Sequence, residues 1–382
     1  ITSILQAASP KIAGKVYPLP APSVSGVESM RHRMAFINPF NLYKRTCDAT
    51  GKPIVSIYSP DKPYKVYTRA AWESDSWDAT QFGRPYDFTK TFAEQWDELN
   101  LAVPHVALWN GDTDNADFSH DVSKITDSYM IFDAMDVKES LYANGANNLT
   151  SCIDVTSVSQ GEMLYQCLMV DNGYKSFWCT FCHTIAECDF CYDCRNIRNC
   201  FGCVNVVNGQ YLWFNQQLTK EDYDQRRKAF WAQPNFIELA KAERNKLILS
   251  LPHRYADIKF CEDCTGNYLY HSNNAHDCYE SGELEHTISC HDSRKAINSA
   301  YSGNLIFGPG FVYECQNIVG GATASAFCYL CADGLSNAYY STECYGCDTI
   351  FGCVGLKRKK FTILNKQYEQ PEYEALLPKI IA

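Results

Sequence analysis

The strongest constraint on this chain is that one stretch of it is written twice. Phe351-Gly-Cys-Val-Gly, followed by Phe361-Thr-Ile-Leu-Asn-Lys-Gln-Tyr and Glu372-Tyr373, has a twin. The twin is Phe201-Gly-Cys-Val-Asn, Tyr211-Leu-Trp-Phe-Asn-Gln-Gln-Leu and Asp222-Tyr223. Cys203/Cys353, Asn215/Asn365, Gln217/Gln367 and Tyr223/Tyr373 all stand 150 positions apart. A constant offset across so many positions is the mark of a duplicated unit.

The repeat extends further back. Leu164-Tyr-Gln-Cys167 matches Val312-Tyr-Glu-Cys315 at an offset of 148, and Cys194 matches Cys344 at 150. Small drifts of this kind are one- or two-residue loop insertions, which a repeat protein tolerates at little cost. Residues from Asp87 to Leu101 form an amphipathic pattern, with Phe88, Phe92, Trp96 and Leu99 three to four apart. That spacing predicts a helix with Asp87 as N-cap and Pro104 as stop. Its counterpart runs from Asn235 to Leu249 and stops at Pro252. The units are placed at 85–232 and 233–382, each a leading helix and a long Cys-rich body.

Two shorter segments precede them. Residues 1–40 read as an extended arm, with Tyr17-Pro-Leu-Pro-Ala-Pro polyproline-like and a helical turn from Gly26 to Met34. The arm has neither a basic n-region nor a long apolar core, so it is not an intact signal peptide. Residues 41–84 read as a β-hairpin module: Ile54-Val-Ser-Ile-Tyr58 alternates at period two, Ser59 to Pro63 turns, and Tyr64 to Tyr67 returns.

Within the bodies, aromatic and β-branched segments recur between Asn, Asp, Gly and Ser. The gaps from Cys278 to Cys290, Cys315 to Cys328 and Cys331 to Cys344 are 12, 13 and 13. Short strands at that spacing predict a mainly β fold: tandem Cys-rich β-solenoid-like units with helical caps over their edges. Tyr 25 and Phe 20 are consistent with strands outweighing helices.

Twenty cysteines mean either disulfides in an oxidising compartment or metal and thiol chemistry in a reducing one. Cys328-x2-Cys331-x12-Cys344-x2-Cys347 has zinc-ribbon-like spacing, and Cys179-x2-Cys182 with Cys191-x2-Cys194 is the corresponding set in the first unit. These eight are the candidate metal ligands, and zinc is the cofactor their spacing admits. The competing reading puts the same cysteines on an interior ladder as small hydrophobes or disulfides. Cys179-Thr-Phe-Cys182-His183 also spells the c-type haem attachment string, but the other unit has Ala332 in place of the histidine.

Other constellations are weaker. Asp112, Asp114 and Asp117 lack the glycine and terminal glutamate of a calcium loop. Asn148-Leu-Thr150 fits a glycosylation acceptor by chance composition. Asp189/Asp193 and Glu314/Glu343 offer carboxylates without forming a recognisable catalytic pair. Lys357 to Lys360 reads as a solvated basic loop. No phosphate loop, GxSxG elbow or HExxH helix is present. The net charge of −10 argues against a nucleic-acid partner, and no apolar run approaches the roughly 18 residues of a membrane span.

Asn41-Leu-Tyr-Lys-Arg-Thr-Cys-Asp-Ala-Thr-Gly-Lys, Ile57-Tyr-Ser-Pro-Asp-Lys-Pro-Tyr-Lys-Val-Tyr, Trp72 to Trp77, Phe351-Gly-Cys-Val-Gly and Leu364-Asn-Lys-Gln-Tyr carry a resemblance. They resemble an uncharacterised Cys-rich, CxxC-repeat family of candidate-phylum bacteria and phages, whose N-terminal part is zinc-ribbon-like. The resemblance implies no activity. Here Cys47 keeps a first-knuckle position while Thr50, Thr68 and Ala71 stand at the partner positions, so the implied ribbon lacks its ligands.

The leading functional expectation is a non-enzymatic structural or assembly protein, such as a surface or virion component, with protein partners or self-assembly and an extracellular or virion location. The alternatives are an intracellular zinc-binding or thiol-redox module, and a carbohydrate-binding or carbohydrate-active solenoid using rows of Tyr and Trp.

Overall fold

The computed structural model describes residues 41–145, 147–156, 159–275, 278–282 and 334–381, together with short strands at 11–12, 15–16 and 322–323. The predicted arm and its helical turn, Cys290, Glu314, Cys315, Cys328 and Cys331 lie outside the described residues. The described part is mainly β, and its largest sheet is overwhelmingly parallel, with eleven strands. Contacts divide the chain into two compact units: Leu108–His253 (with 39–42), and Tyr43–Ala107 together with the residues from Arg254 on.

The segment 43–107 begins with an antiparallel hairpin, but not the expected one. Tyr43–Thr46 pairs with Pro53–Ser56, and Gly51 at φ 69° closes the turn, its N–H donating to the Cys47 carbonyl. Val66–Tyr67, expected to return on Ile54–Tyr58, instead pairs in parallel with His105–Val106. Two helices follow from local capping. Helix α1 (Arg69–Glu73) is capped by Thr68. Helix α2 (Phe92–Ala102) starts four residues later than the apolar spacing suggests, because Thr91 and Glu94 form a reciprocal capping box there. Asp87, the expected cap, instead folds its carboxylate onto the Thr89 N–H and hydroxyl, leaving Phe88 exposed.

In the unit 108–253 the chain returns to the same strand position every twelve residues. Asp171, His183, Arg195 and Val207 are successive Cα partners, as are Gly173 to Ile185 and Ile185 to Ile197. A shorter repeat sits inside that step. Every third residue points inward: Cys188, Cys191, Cys194, Ile197, Cys200 and Cys203 are all buried. The residue before each inward one is left-handed, as at Glu187, Phe190, Asp193, Asn196, Asn199 and Gly202. Left-handed backbone costs an ordinary residue roughly 1 kcal/mol. Here each such N–H is committed to the neighbouring turn: Phe190 donates to the Phe177 carbonyl, Asp193 to Thr180 and Gly202 to Asp189. The bonds offset the strain, and Asn and Asp, which tolerate this conformation best, occupy many of these places.

Helix α3 (Lys220–Trp231), capped by Thr219, and helix α4 (Phe236–Ser250) close this unit. Asn235 stands at the N-cap of α4 without a side-chain cap bond. Trp231 and Phe236 pack over Trp178, and Phe230 over Phe201 and Trp213.

The second unit repeats the twelve-residue register where it is described: Ser336, Asp348 and Lys360 are successive partners. At its start the step is eleven, Ile258 to Leu269, before Gly266 pairs with Cys278. Helix α5 (Gln370–Ile381) closes it, burying Tyr373 and Leu377. The place that α4 takes in the other unit is filled by α2: its Phe92 packs on Tyr340 and Phe351. The helix leading one repeat in sequence therefore belongs to the core of the other.

The matched positions do matched work. Asn215 Oδ1 accepts the Val204 N–H at 2.8 Å and its Nδ2 donates to the Val204 carbonyl at 2.9 Å. Asn365 makes the same pair with Val354, at 2.9 and 2.8 Å. Each amide supplies the last strand edge with the donor and acceptor that another strand would have brought.

Candidate functional site

The sequence directs attention to the cysteines, and the structure places sixteen of them as free thiols among the described residues. In the unit 108–253 the three-residue inward period lines up Cys167, Cys179, Cys191 and Cys203 in one interior column, each twelve residues from the next. Cys182 and Cys194 stack in a second column, and Cys188 and Cys200 in a third. Four candidate ligands, Cys179, Cys182, Cys191 and Cys194, thus meet on two adjacent turns, fully buried. Of the second proposed set, Cys344 and Cys347 are likewise buried.

The chemistry of these thiols is set by the backbone. Each inward Sγ donates to the carbonyl two residues back: Cys182 to Thr180 at 3.4 Å, Cys191 to Asp189 at 3.5 Å, Cys194 to Tyr192 at 3.3 Å, Cys344 to Thr342 at 3.2 Å. Several reach a second carbonyl nine residues on, such as Cys194 to Cys203 at 3.4 Å. These contacts use the thiol proton, whereas zinc binds thiolate. Burial pushes the Cys182, Cys188, Cys191 and Cys344 thiols well above the ordinary range, and Cys353 up to about 12. Their neighbours go the other way: against burial, hydrogen bonds from adjacent thiols hold Cys179 well below that range and bring Cys194 down to about 5 and Cys200 to about 4. Among the described residues no group of three or more His, Cys, Asp or Glu is arranged to hold a metal ion.

Serine confirms what an inward position asks for. Ser176 and Ser341 occupy inward places between cysteines or apolar residues. Ser176 Oγ donates to the Tyr174 carbonyl at 2.9 Å and accepts the Cys188 N–H at 3.3 Å. Ser341 repeats this with Tyr339 and Cys353, at 3.0 and 3.1 Å. A small side chain with one proton to give suffices.

The haem string comes apart in the structure. Cys179 and Cys182 face the interior, while His183 opens an outward strand position partnered by Asp171 and Arg195. Asn148 precedes the inward Leu149 on the strand Asn147–Thr150. The basic run is not a solvated loop. Lys357 Nζ lies 4.2 Å from the Trp72 ring centroid and donates to the Trp72 carbonyl at 2.6 Å. Lys359 reaches Asp78 at 3.1 Å and Lys360 reaches Asp348 at 3.2 Å.

Two buried carboxylates stand out, one in each unit. Glu343 is fully buried; its Oε1 accepts from Tyr58 Oη at 2.8 Å and lies 3.1 Å from His105 Nδ1. His105 Nε2 faces the Asn100 carbonyl at 2.8 Å, at the end of α2. Burial alone would lower the His105 pKa, but the Glu343 carboxylate, its hydrogen bond and the Asn100 carbonyl together raise it. An imidazolium donating from both nitrogens fits this pair of acceptors. Asp189, also fully buried, meets Arg227 Nε of α3 at 2.6 Å. Its pKa is raised to about 6 by burial, against the pull of Arg227. Each carboxylate ties a capping element to the stack. Both acids are visible in the sequence as candidates, yet their partners lie 38, 238 and 285 positions away; no local signal links them.

The described part of the chain is thus mainly β, with a large parallel sheet. Compared with family models, with curated proteins and with solved structures, the chain matches none.

Proposed function

We propose that this chain is a non-enzymatic structural protein, built from two capped, Cys-rich β-solenoid units and serving as a rigid component of a larger assembly. The observation that carries this reading is the direction of its reactive groups. The described thiols of the unit 108–253 point into the stack and give their protons to carbonyls, and the buried acids are engaged by Tyr58, His105 and Arg227 in holding covers on. Among the described residues, chemistry of this kind supports a scaffold. Small stacked turns bury little apolar area each, so interior ladders and satisfied backbone do the stabilising.

The test is thiol counting with metal analysis on one sample. The expected result is slow labelling of native protein, rapid labelling once denatured, and no stoichiometric metal. Rapid native labelling, or about two zinc ions per chain with loss of fold on chelation, would overturn the reading in favour of a metal or redox module.

A further inference from the structure

One outward column of the unit 108–253 runs the length of its stack: Asp117, Tyr129, Leu141, Ile153, Tyr165, Phe177, Asp189, Phe201 and Trp213 are successive Cα partners. Its later half is covered by this chain's own helices. Trp231 packs on Phe177, Phe230 on Phe201 and Trp213, and Arg227 pairs with Asp189. The earlier half continues the same apolar character without that cover among the described residues. Phe118, Leu141, Tyr142 and Ile153 are 37%, 36%, 49% and 39% exposed. Phe118, Tyr129 and Tyr142 meet edge to face, with centroids 5.4 and 5.8 Å apart. A contiguous apolar strip on a surface marks an interaction site.

The charges around it select the occupant. Asp117 stands in the column itself, Asp154 follows Ile153, and Asp127 and Glu139, each accepting a hydrogen bond from the neighbouring turn, sit two places before Tyr129 and Leu141. Lys138 is a cation beside them, so the balance is acidic. Two copies of this strip placed face to face would set carboxylate against carboxylate. Helix α3 shows what the same column accepts: aromatic residues beside the basic run Arg226-Arg227-Lys228.

We infer that the strip formed by Phe118, Tyr129, Leu141, Tyr142 and Ile153 docks a helix of a partner protein, aromatic on one face and flanked by Arg or Lys. The inference rests on the structural reading above and names the partner such a component would hold. The partner's apolar side chains cover the exposed strip, and its cations meet the flanking carboxylates, so binding weakens as salt is raised.

The test uses the full chain and, as probe, a synthetic peptide copying residues 219–251, followed by calorimetry. Saturable binding is expected, reduced about tenfold or more by Tyr142→Ser or Leu141→Ser. A peptide with Arg226, Arg227 and Lys228 replaced by Gln should bind more weakly by a similar factor. Because Tyr142 is half-exposed, its variant keeps the wild-type unfolding midpoint, which is checked on the same sample. No binding, or binding indifferent to Tyr142→Ser, overturns the inference. So does concentration-dependent self-association, or retention on a glycan surface, that Tyr142→Ser abolishes while the peptide fails to bind. Native thiol protection separates the two claims: protected thiols with no peptide binding remove the docking inference and leave the structural reading standing.

Discussion

Cys188, three residues before the candidate ligand Cys191, tests whether the interior thiols of this unit act as small packed side chains, and chelator in the same assay tests for metal. This cysteine is fully buried in the same interior column as Ser176 and Cys200, and its Sγ donates to the Ala186 carbonyl at 3.2 Å. In Cys188→Ser the hydroxyl keeps that acceptor and meets the Cys200 N–H twelve residues on, the relation Ser176 already has to Cys188. Exchanging sulfur for oxygen forfeits about 1 kcal/mol of apolar transfer. The two satisfied hydrogen bonds return about 0.5–1.5 kcal/mol each, so the net change lies within about 1 kcal/mol. Cys188→Ala has no such compensation: it loses the transfer term and leaves a cavity, at about 1–2 kcal/mol. Urea unfolding followed by tryptophan fluorescence, with and without chelator, reads both. Serine should stand above alanine, and chelator should change neither. Serine costing about 3 kcal/mol or more, or a midpoint that falls with chelator, would refute the packing argument, since a structural zinc site contributes on the order of 10 kcal/mol.

Three further outcomes are expected. Asn365→Ala strips the buried Val354 N–H and carbonyl and the Ala79 carbonyl of their partners, a loss of about 3 kcal/mol; Asn215→Ala, at a half-buried site, should cost less in the same unfolding assay. His105 has a folded pKa above its ordinary 6.5, so its contribution is full below about 6.5 and is lost as pH rises through the raised value. Glu343→Gln should flatten that decline and lower stability most on the acid side of it, as a melting series from about pH 5.5 to 8.5 would show. Gly202→Ala tests which part of a left-handed position matters. Neighbours such as Phe190 and Asn199 already hold positive φ, so the obstacle is the Phe214 ring, 2.2 Å from where the added methyl would sit. A cost of about 1–3 kcal/mol is expected, relieved in a Phe214→Ala background; an equal cost in both backgrounds would contradict the assignment to the ring.

The β class was legible in the aromatic content and turn residues, and the positions 150 apart do correspond in role at Asn215 and Asn365. The inward period was present but easily overlooked. Cys179, Cys182, Cys188, Cys191, Cys194, Cys200 and Cys203 are separated only by multiples of three. Read as CxxC pairs they suggest ligands; read as one series they give the inward face of each short side. The α2 start shows a milder failure, in which apolar spacing extended a helix that the Thr91–Glu94 box begins later.

Local chemistry was readable from the residues alone: strands over helices, helices covering 92–102 and 236–250, and two copies of one segment 150 positions apart. Which helix covers which body, the pairing of Val66–Tyr67 with His105–Val106, and the contact of Glu343 with Tyr58 and His105 emerge only from the folded chain. The physical reason is range. Caps, turns and inward periods are fixed by residues within a few positions of one another. The burial of a carboxylate, the direction of a thiol's proton and the cover on an aromatic column depend on chain segments brought together from far apart in sequence.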